Sequence, residues 1–198
     1  MIAYGEQLSK ERGAQLALLV PAIDHFYEKL GYRICADKEE YQYAASVPPP
    51  GRFRGEIRPA GQEELDDMLA LYHSTMSKLD GYILRDKTIM EQIIQTYAFF
   101  HGGAYVFYDK GNPVGYVIYS VDSQRICAEE AVYTERAGLD GILWFIYSHG
   151  SQTKRALLRL PVGDGAGTLL YTKEYHIQRI PTVLGKSLMD VETEVLFH

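Results

Sequence analysis

The sequence predicts an α+β fold, a mixed and mainly antiparallel sheet flanked by helices, preceded by the C-terminal half of a second copy of the same unit. Three observations predict it. From residue 55 the patterning runs strand, two helices, three antiparallel strands, helix, strand, helix, strand, a layered order with one strand–helix–strand crossover. Residues 1–46 reproduce only the last part of that order, as helix, strand, helix and strands. Between the two stands "VPPPGRFRG", whose three prolines favour extended polyproline II geometry and whose Gly51 and Gly55 loosen the flanks. The expected division is a half unit over 1–46, a Pro/Gly linker over 47–55 and a whole unit over 56–198.

"MIAYGEQLSKERGA" reads as a helix that Gly13 closes, with Lys10 and Arg12 suited to the negative end of its dipole. "QLALLVP" is a short continuous apolar run of the kind a buried strand gives. In "AIDHFYEKLG" the residues Ile23, Phe26, Tyr27 and Leu30 fall at i, i+3, i+4 and i+7, one helical stripe, and Gly31 supplies the stop. "YRICADKEEYQYAAS" reads as two strands around a charged turn, "DKEE". In the second unit, "EELDDMLALYHSTM" places Leu65, Met68, Leu69, Tyr72 and Met76 on one stripe, and "DKTIMEQIIQTYAFF" repeats the pattern with Ile89, Met90, Ile93, Ile94 and Tyr97. Three strands follow, the first two joined by the hairpin turn "DKGNP". "GLDGILWFIYSHG" is apolar almost all round and should be deeply buried. "RALLRLP" is a strand, "TLLYTKEY" a short helix, and "IQRIPTVLGKSLMDVETEVLF" ends the sheet.

Composition narrows the function classes. Of 198 residues, 46% are hydrophobic and 23% charged, as in an ordinary globular protein. A net charge of −6 argues against broad nucleic-acid binding, which needs a basic face. No apolar run reaches membrane-spanning length, and the N-terminus has too little hydrophobicity for a signal peptide. Cys35 and Cys127 read as buried free thiols in a reducing, cytoplasmic compartment. The six histidines show no metal-ligand spacing, so no metal site is expected. "GDGAGT" precedes a helix but lacks a Gly-Lys-Ser/Thr ending, and Asp164 opposes an anion, so it reads as a flexible turn. Glu129 and Glu130 could attract an amine; strand alternation would send one of them to each face, as a solvated or hydrogen-bonded pair. His25 reads as a half-exposed helix histidine.

The order of these elements is similar to the GNAT superfamily of N-acetyltransferases. "LALLVPAIDHFYEKLGYR" looks like the closing strand, helix and strand of a first GNAT domain. "IRPAGQEELDDMLALYHSTM", "GNPVGYVIY", "EEAVYTE" and "LDGILWFIYSHGSQ" fit a second, degenerate one. The whole resembles the tandem-GNAT proteins related to the enhanced-intracellular-survival acetyltransferases, with the N-terminal domain truncated. That resemblance implies acetyl transfer from acetyl-CoA to an amine on a small molecule or peptide. It also implies a pyrophosphate loop, Arg/Gln-x-x-Gly-x-Gly/Ala, whose bare N–H groups at a helix N-terminus solvate the phosphates. In the first unit that loop would precede Met1. In the second, aligning Gly138 with the motif puts Glu135 at the Arg/Gln position and Asp140 at the last Gly/Ala position, and both carboxylates would repel a pyrophosphate. The resemblance makes Tyr27, in "FYEKLGY", the general acid that protonates the departing thiolate. A phenol of pKa ~10 is a workable donor to a thiolate of pKa ~8–9 within hydrogen-bond reach. Read from the residues alone, Tyr27 simply shares the core stripe with Phe26 and Leu30. The family's C-terminal general base finds no match in "EVLFH", so His198 takes no such role.

The expectation is therefore an N-acetyltransferase-family chain that binds acetyl-CoA weakly or not at all. The alternative is a non-catalytic binding or regulatory module. A homo-oligomer formed through the incomplete N-terminal unit is also open, because an edge strand such as "LALLVP" is a template for pairing.

Overall fold

The structure of the chain is a computed structural model that describes residues 2–21, 24–79, 82–166 and 175–189. The helix expected over 168–175, apart from its last residue, and the tail "EVLFH" lie outside the described residues. Two compact units emerge, one from residues 1–39 with 179–198 and one from residues 40–178.

The first unit contains α1 (Ile2–Glu11), β1 (Leu16–Leu19), α2 (Asp24–Glu28) and segments of β2 (Arg33–Ala44) and β8 (His176–Ser187). Gly13 ends α1 as expected, in the left-handed region at φ 84° and with its N–H on the Lys10 carbonyl at 2.9 Å. β1 pairs antiparallel with β8, from Leu16↔Ser187 to Leu19↔Leu184. Lys186 Nζ reaches Glu6 at 2.8 Å. Of the stripe expected on α2, a helix of five residues, Ile23 lies outside the described residues, Tyr27 is half-buried, and Phe26 and Leu30 are 52% and 39% exposed. Cys35 also departs from expectation, being an exposed free thiol while Cys127 is buried. It sits 3.0 Å from where a Cβ on Gly185 would lie, so a bare glycine is its neighbour.

β2 overturns the two-strand reading of its segment. It is one continuous strand of twelve residues, running straight through "DKEE". The charged run stays extended because tertiary partners receive it, Glu40 being ion-paired with Arg159. β2 and β8 each pass from one unit to the other: 33–39 and 179–187 lie in the first, 40–44 and 176–178 in the second.

The second unit adds β3 (Glu56–Pro59), α3 (Leu65–Met76), α4 (Lys87–Phe99), β4 (Gly103–Asp109), β5 (Asn112–Val121), β6 (Arg125–Tyr133), α5 (Arg136–Ser148) and β7 (Arg155–Pro161). β3, β4, β5 and β6 are successive antiparallel neighbours. The β4–β5 turn carries positive φ at both Lys110 (49°) and Gly111 (83°), as a two-residue hairpin requires. β7 returns parallel to β6 through α5, registered from Arg125↔Arg155 to Ala128↔Leu158. Ala45, at the end of β2, donates to the Lys154 carbonyl at 3.1 Å.

Each face of this sheet has its own core. α5 fills one, with Leu139, Ile142, Leu143, Phe145 and Ile146 packed on Phe107, Val117, Ile126, Ala128 and Leu158. Leu65, Met68, Tyr72 and Met90 of α3 and α4 cover Val106, Tyr116, Ile118 and Val132 on the other. The Pro/Gly segment lies along α5. Phe53 is buried, 5.8 Å and edge-on from Phe107, and Arg52 stands 5.9 Å over the Trp144 ring. Among the described residues no helix is long and apolar enough to cross a membrane.

Candidate functional site

Four groups of residues bear on function, one in the first unit and three in the second. In the first, Tyr27 sits on α2 half-buried, its ring edge-on to Phe26 at 5.1 Å and to Tyr32 at 6.1 Å. Burial and the neighbouring Glu6 carboxylate push Tyr32 up to about 12. His25 is exposed.

The second group is the N-terminal turn of α5, where a degenerate copy of the cofactor loop was expected. It does not fit a pyrophosphate. Glu135 occupies the N-cap and its side chain makes no cap hydrogen bond. Arg136 and Asp140 are tied to each other at 2.8 Å. A Cβ built on Gly51 would lie 2.5 Å from Asp140 Oδ2, so the Pro/Gly segment packs against α5 at Asp140. The Thr134 N–H is spent on the Val114 carbonyl at 3.1 Å, and the Gly138 N–H on that of Glu135 at 3.0 Å. Gly138 itself serves packing, since a Cβ there would stand 2.2 Å from the Val114 oxygen. Beyond the helix start, Tyr133 at the end of β6 donates a short hydrogen bond to Asp164. Burial first, then Asp164, raises the Tyr133 hydroxyl above its ordinary value. The "VGDGAG" loop is thus tied back to β6, a structural role.

The third group lies on the α3/α4 face. The β5–β6 register shifts after Ile118, which pairs with Glu130, while Tyr119 pairs with Ala128. Glu129 is therefore an extra residue on β6, and the bulge turns both glutamates to one face. This corrects the alternation expected from sequence. Glu130 takes a bidentate bond from Arg85 at 2.7 and 2.8 Å and a third from the Tyr116 hydroxyl at 2.7 Å. The Arg85 guanidinium lies 4.0 Å over Tyr72, and His73 Nε2 donates to the Arg85 carbonyl at 2.9 Å. Together these hold the segment before α4 down on the sheet. Glu129 accepts from Ser120 Oγ at 2.7 Å and from Arg159, whose Nε also reaches Glu40 at 2.8 Å. Gln178 and Gln42 donate to the other Glu40 oxygen, each at 2.9 Å. Neither glutamate is a free lure for an amine.

Burial would raise the Glu40 carboxyl, but Arg159, Gln178 and Gln42 outweigh it and hold the group below the usual range. A folded-state value below the unfolded ~4.3 means stability that is present above that pH and lost as pH falls through the folded value. Urea midpoints should accordingly separate wild type from Glu40→Gln at pH 7. The gap should narrow below about pH 4; a constant gap would leave Glu40 uncoupled. Burial, reinforced by Glu129, pushes the nearby Cys127 thiol up, so it is an unreactive core residue.

The fourth group is a cavity of about 660 Å³, beside the C-terminus of α4 and the β5–β6 turn. Tyr97, Phe99, Phe100, His101, Ser120, Asp122, Arg125 and Glu129 line it. Sequence patterning passed over this site, although "AFFHGG" carries aromatics beyond the end of the apolar stripe. Phe99 and Phe100 are 81% and 56% exposed.

The likenesses to known proteins agree with this architecture. Among curated proteins none matches the chain. Among solved structures, an Enterococcus faecalis protein described as a probable N-acyltransferase aligns at 18% identity and TM-score 0.76, over 93% of this chain and 48% of its own. A GCN5-related N-acetyltransferase from Anabaena variabilis aligns at 19% and 0.75, over 95% and 50%. A tandem GNAT protein from the clavulanic acid biosynthesis pathway aligns at 10% and 0.57, over 96% and 69%. At such identities the likeness shows the fold, and the chain spans about half the length of the first two structures. The family model described as an acetyltransferase (GNAT) domain matches residues 81–182, from the α3–α4 connection through β7 into β8. With that match over half its length and that fold throughout, the chain belongs to the GNAT acetyltransferase family.

Proposed function

We propose that this chain serves acetyl transfer from acetyl-CoA to an amine, with Tyr27 as general acid and the second unit as a lobe that does not itself hold the cofactor. Acetyl-CoA supplies the activated acyl group. Tyr27 sits half-exposed at the end of α2, where its hydroxyl can give a proton to a leaving thiolate. The observation carrying the assignment for the second unit is the α5 N-terminus. The Gly138 N–H is taken by the Glu135 carbonyl, Glu135 stands at the N-cap with its side chain making no cap hydrogen bond, and Gly51 lies against Asp140. A pyrophosphate there would meet carboxylates where it needs N–H groups.

Isothermal titration of the 198-residue chain should show no saturable acetyl-CoA binding in the micromolar range. Micromolar affinity would overturn this assignment of the second unit. With acetyl-CoA supplied at millimolar concentration, any amine acetylation should fall about 100-fold in Tyr27→Phe, the lower end of general-acid contributions. Equal rates would remove Tyr27 from the mechanism.

A further inference from the structure

The outer edge of β1 is an uncharged apolar strand with nothing beside it. Its neighbour on one side is β8, and among the described residues it has none on the other. β3, which likewise has a single neighbour, is built differently. It carries the exposed Glu56–Arg58 ion pair at 2.8 Å and ends on Pro59, which has no N–H to offer. Charge and proline are the usual means of keeping a free edge from pairing. β1 lacks both: from Gly13 through Ile23 no residue is charged, and Pro21 stands beyond the strand.

The register decides which groups this edge offers. Leu188 donates to the Gln15 carbonyl at 2.9 Å, at the end of a ladder that runs from Leu16↔Ser187 to Leu19↔Leu184. Alternation along an antiparallel ladder then turns the N–H and C=O of Ala17 and Leu19 towards β8, and those of Leu16 and Leu18 away from it. Val20 continues the outward set, in the extended backbone that a following proline favours. The side chains of these same three residues share one face. Leu16, Leu18 and Val20 are 48%, 52% and 79% exposed. Unpaired backbone groups and exposed apolar side chains thus coincide on one short segment.

The segment is complementary to itself. A two-fold axis through Leu18 sets it opposite the partner's Leu18, and sets Leu16 opposite the partner's Val20. Each of these pairs can exchange N–H···O bonds in both directions, because the outward groups are the ones that meet. On one face the exposed side chains of both copies join in a single apolar stripe. On the other, Ala17 comes opposite the partner's Leu19, small against large. No like charges are brought together. Self-complementarity of this kind is what a two-fold interface requires, and it favours a second copy over a foreign strand.

We propose that β1 pairs antiparallel with β1 of a second copy, about a two-fold axis at Leu18, to form a homodimer. No residue of β1 has a part in the acetyl-transfer reading, so the two stand or fall separately.

Sedimentation equilibrium of the 198-residue chain from about 1 to 200 µM should show a monomer–dimer equilibrium with a Kd on the order of 10 µM, in keeping with a small interface. Amide exchange over residues 14–22 should slow about tenfold as the dimer fills, with little change elsewhere. Leu18→Lys and Leu18→Glu, at a half-exposed position, should each weaken the dimer about tenfold by setting like charges opposite each other, with the circular dichroism spectrum unchanged. Mixing the two variants should restore dimerisation, since the axis then pairs lysine with glutamate. A monomer whose 14–22 amides are already protected would assign the edge to a segment of the same chain and overturn the proposal. A monomer with unprotected amides would leave the edge to a strand of another protein and overturn it equally. So would a dimer indifferent to both Leu18 variants, or one that mixing them fails to restore.

Discussion

Arg85→Ala is expected to destabilise the second unit by about 3–5 kcal/mol, the loss seen when one partner of a buried ion pair is removed. Both side chains of the Arg85–Glu130 pair are only 11% exposed. Their two hydrogen bonds are parallel and short, the arrangement in which a guanidinium grips a carboxylate most firmly. Removing Arg85 leaves Glu130 buried with its charge facing Tyr116. Burial and that carboxylate already raise the Tyr116 hydroxyl well above its ordinary value, so it offers a hydrogen bond and no countercharge. The guanidinium also stacks on Tyr72, and that contact is lost with it, while the His73 bond to the residue-85 backbone carbonyl is retained. The triple change Arg85→Met, Glu130→Leu and Tyr116→Phe deletes both charges and the hydroxyl. It should lose less than Arg85→Ala alone, because the desolvation cost disappears with the attraction. Urea unfolding followed by circular dichroism measures both, and a loss below about 1 kcal/mol for Arg85→Ala would mark the pair as screened.

Gly138→Ala should cost about 3 kcal/mol, the upper part of the range for overpacking. The added methyl would meet the Val114 oxygen at 2.2 Å, the Val114 carbonyl carbon at 2.8 Å and the Tyr133 Cβ at 2.9 Å. Two of these are backbone atoms of β5, fixed by its pairing with β4 and β6. No flexible side chain can yield, so α5 must lift from the sheet. Gly5 is the contrast: it lies within α1 with nothing inside 4 Å of its added Cβ. Gly5→Ala should be neutral or stabilising by up to about 1 kcal/mol, through helix propensity. Thermal unfolding of the two variants should separate in opposite directions. A tolerated Gly138→Ala would show that the α5–β5 contact is looser than these distances.

Gly138 also shows how a motif position can be legible while its purpose is not. The family resemblance aligned it with the glycine of a cofactor loop, in a turn whose carboxylates already argued against that use, and it stands at the head of α5 where such a loop belongs. What keeps it a glycine is the Val114 carbonyl, a residue some two dozen positions away in sequence. "DKEE" teaches the reverse lesson. Its charge predicted a turn, and it is the middle of a twelve-residue strand, because Arg159, more than a hundred residues on, receives Glu40. The paired glutamates at 129 and 130 could be read as alternating only while the bulge opposite Ile118 and Tyr119 was unseen.

By itself the sequence determined the layer order, the strand–helix–strand crossover, the Lys110–Gly111 hairpin and the burial of α5. Those features follow from periodicity and turn chemistry within about a dozen residues. It also determined that carboxylates flank the head of α5, since Glu135 and Asp140 can be read directly. Tertiary structure alone decided which charges are paired, which faces the glutamates take and where the aromatic end of α4 opens a cavity. Each of these depends on atoms brought together from distant parts of the chain. Local patterning carries no record of the partner that makes a buried charge stable or leaves a phenyl ring exposed.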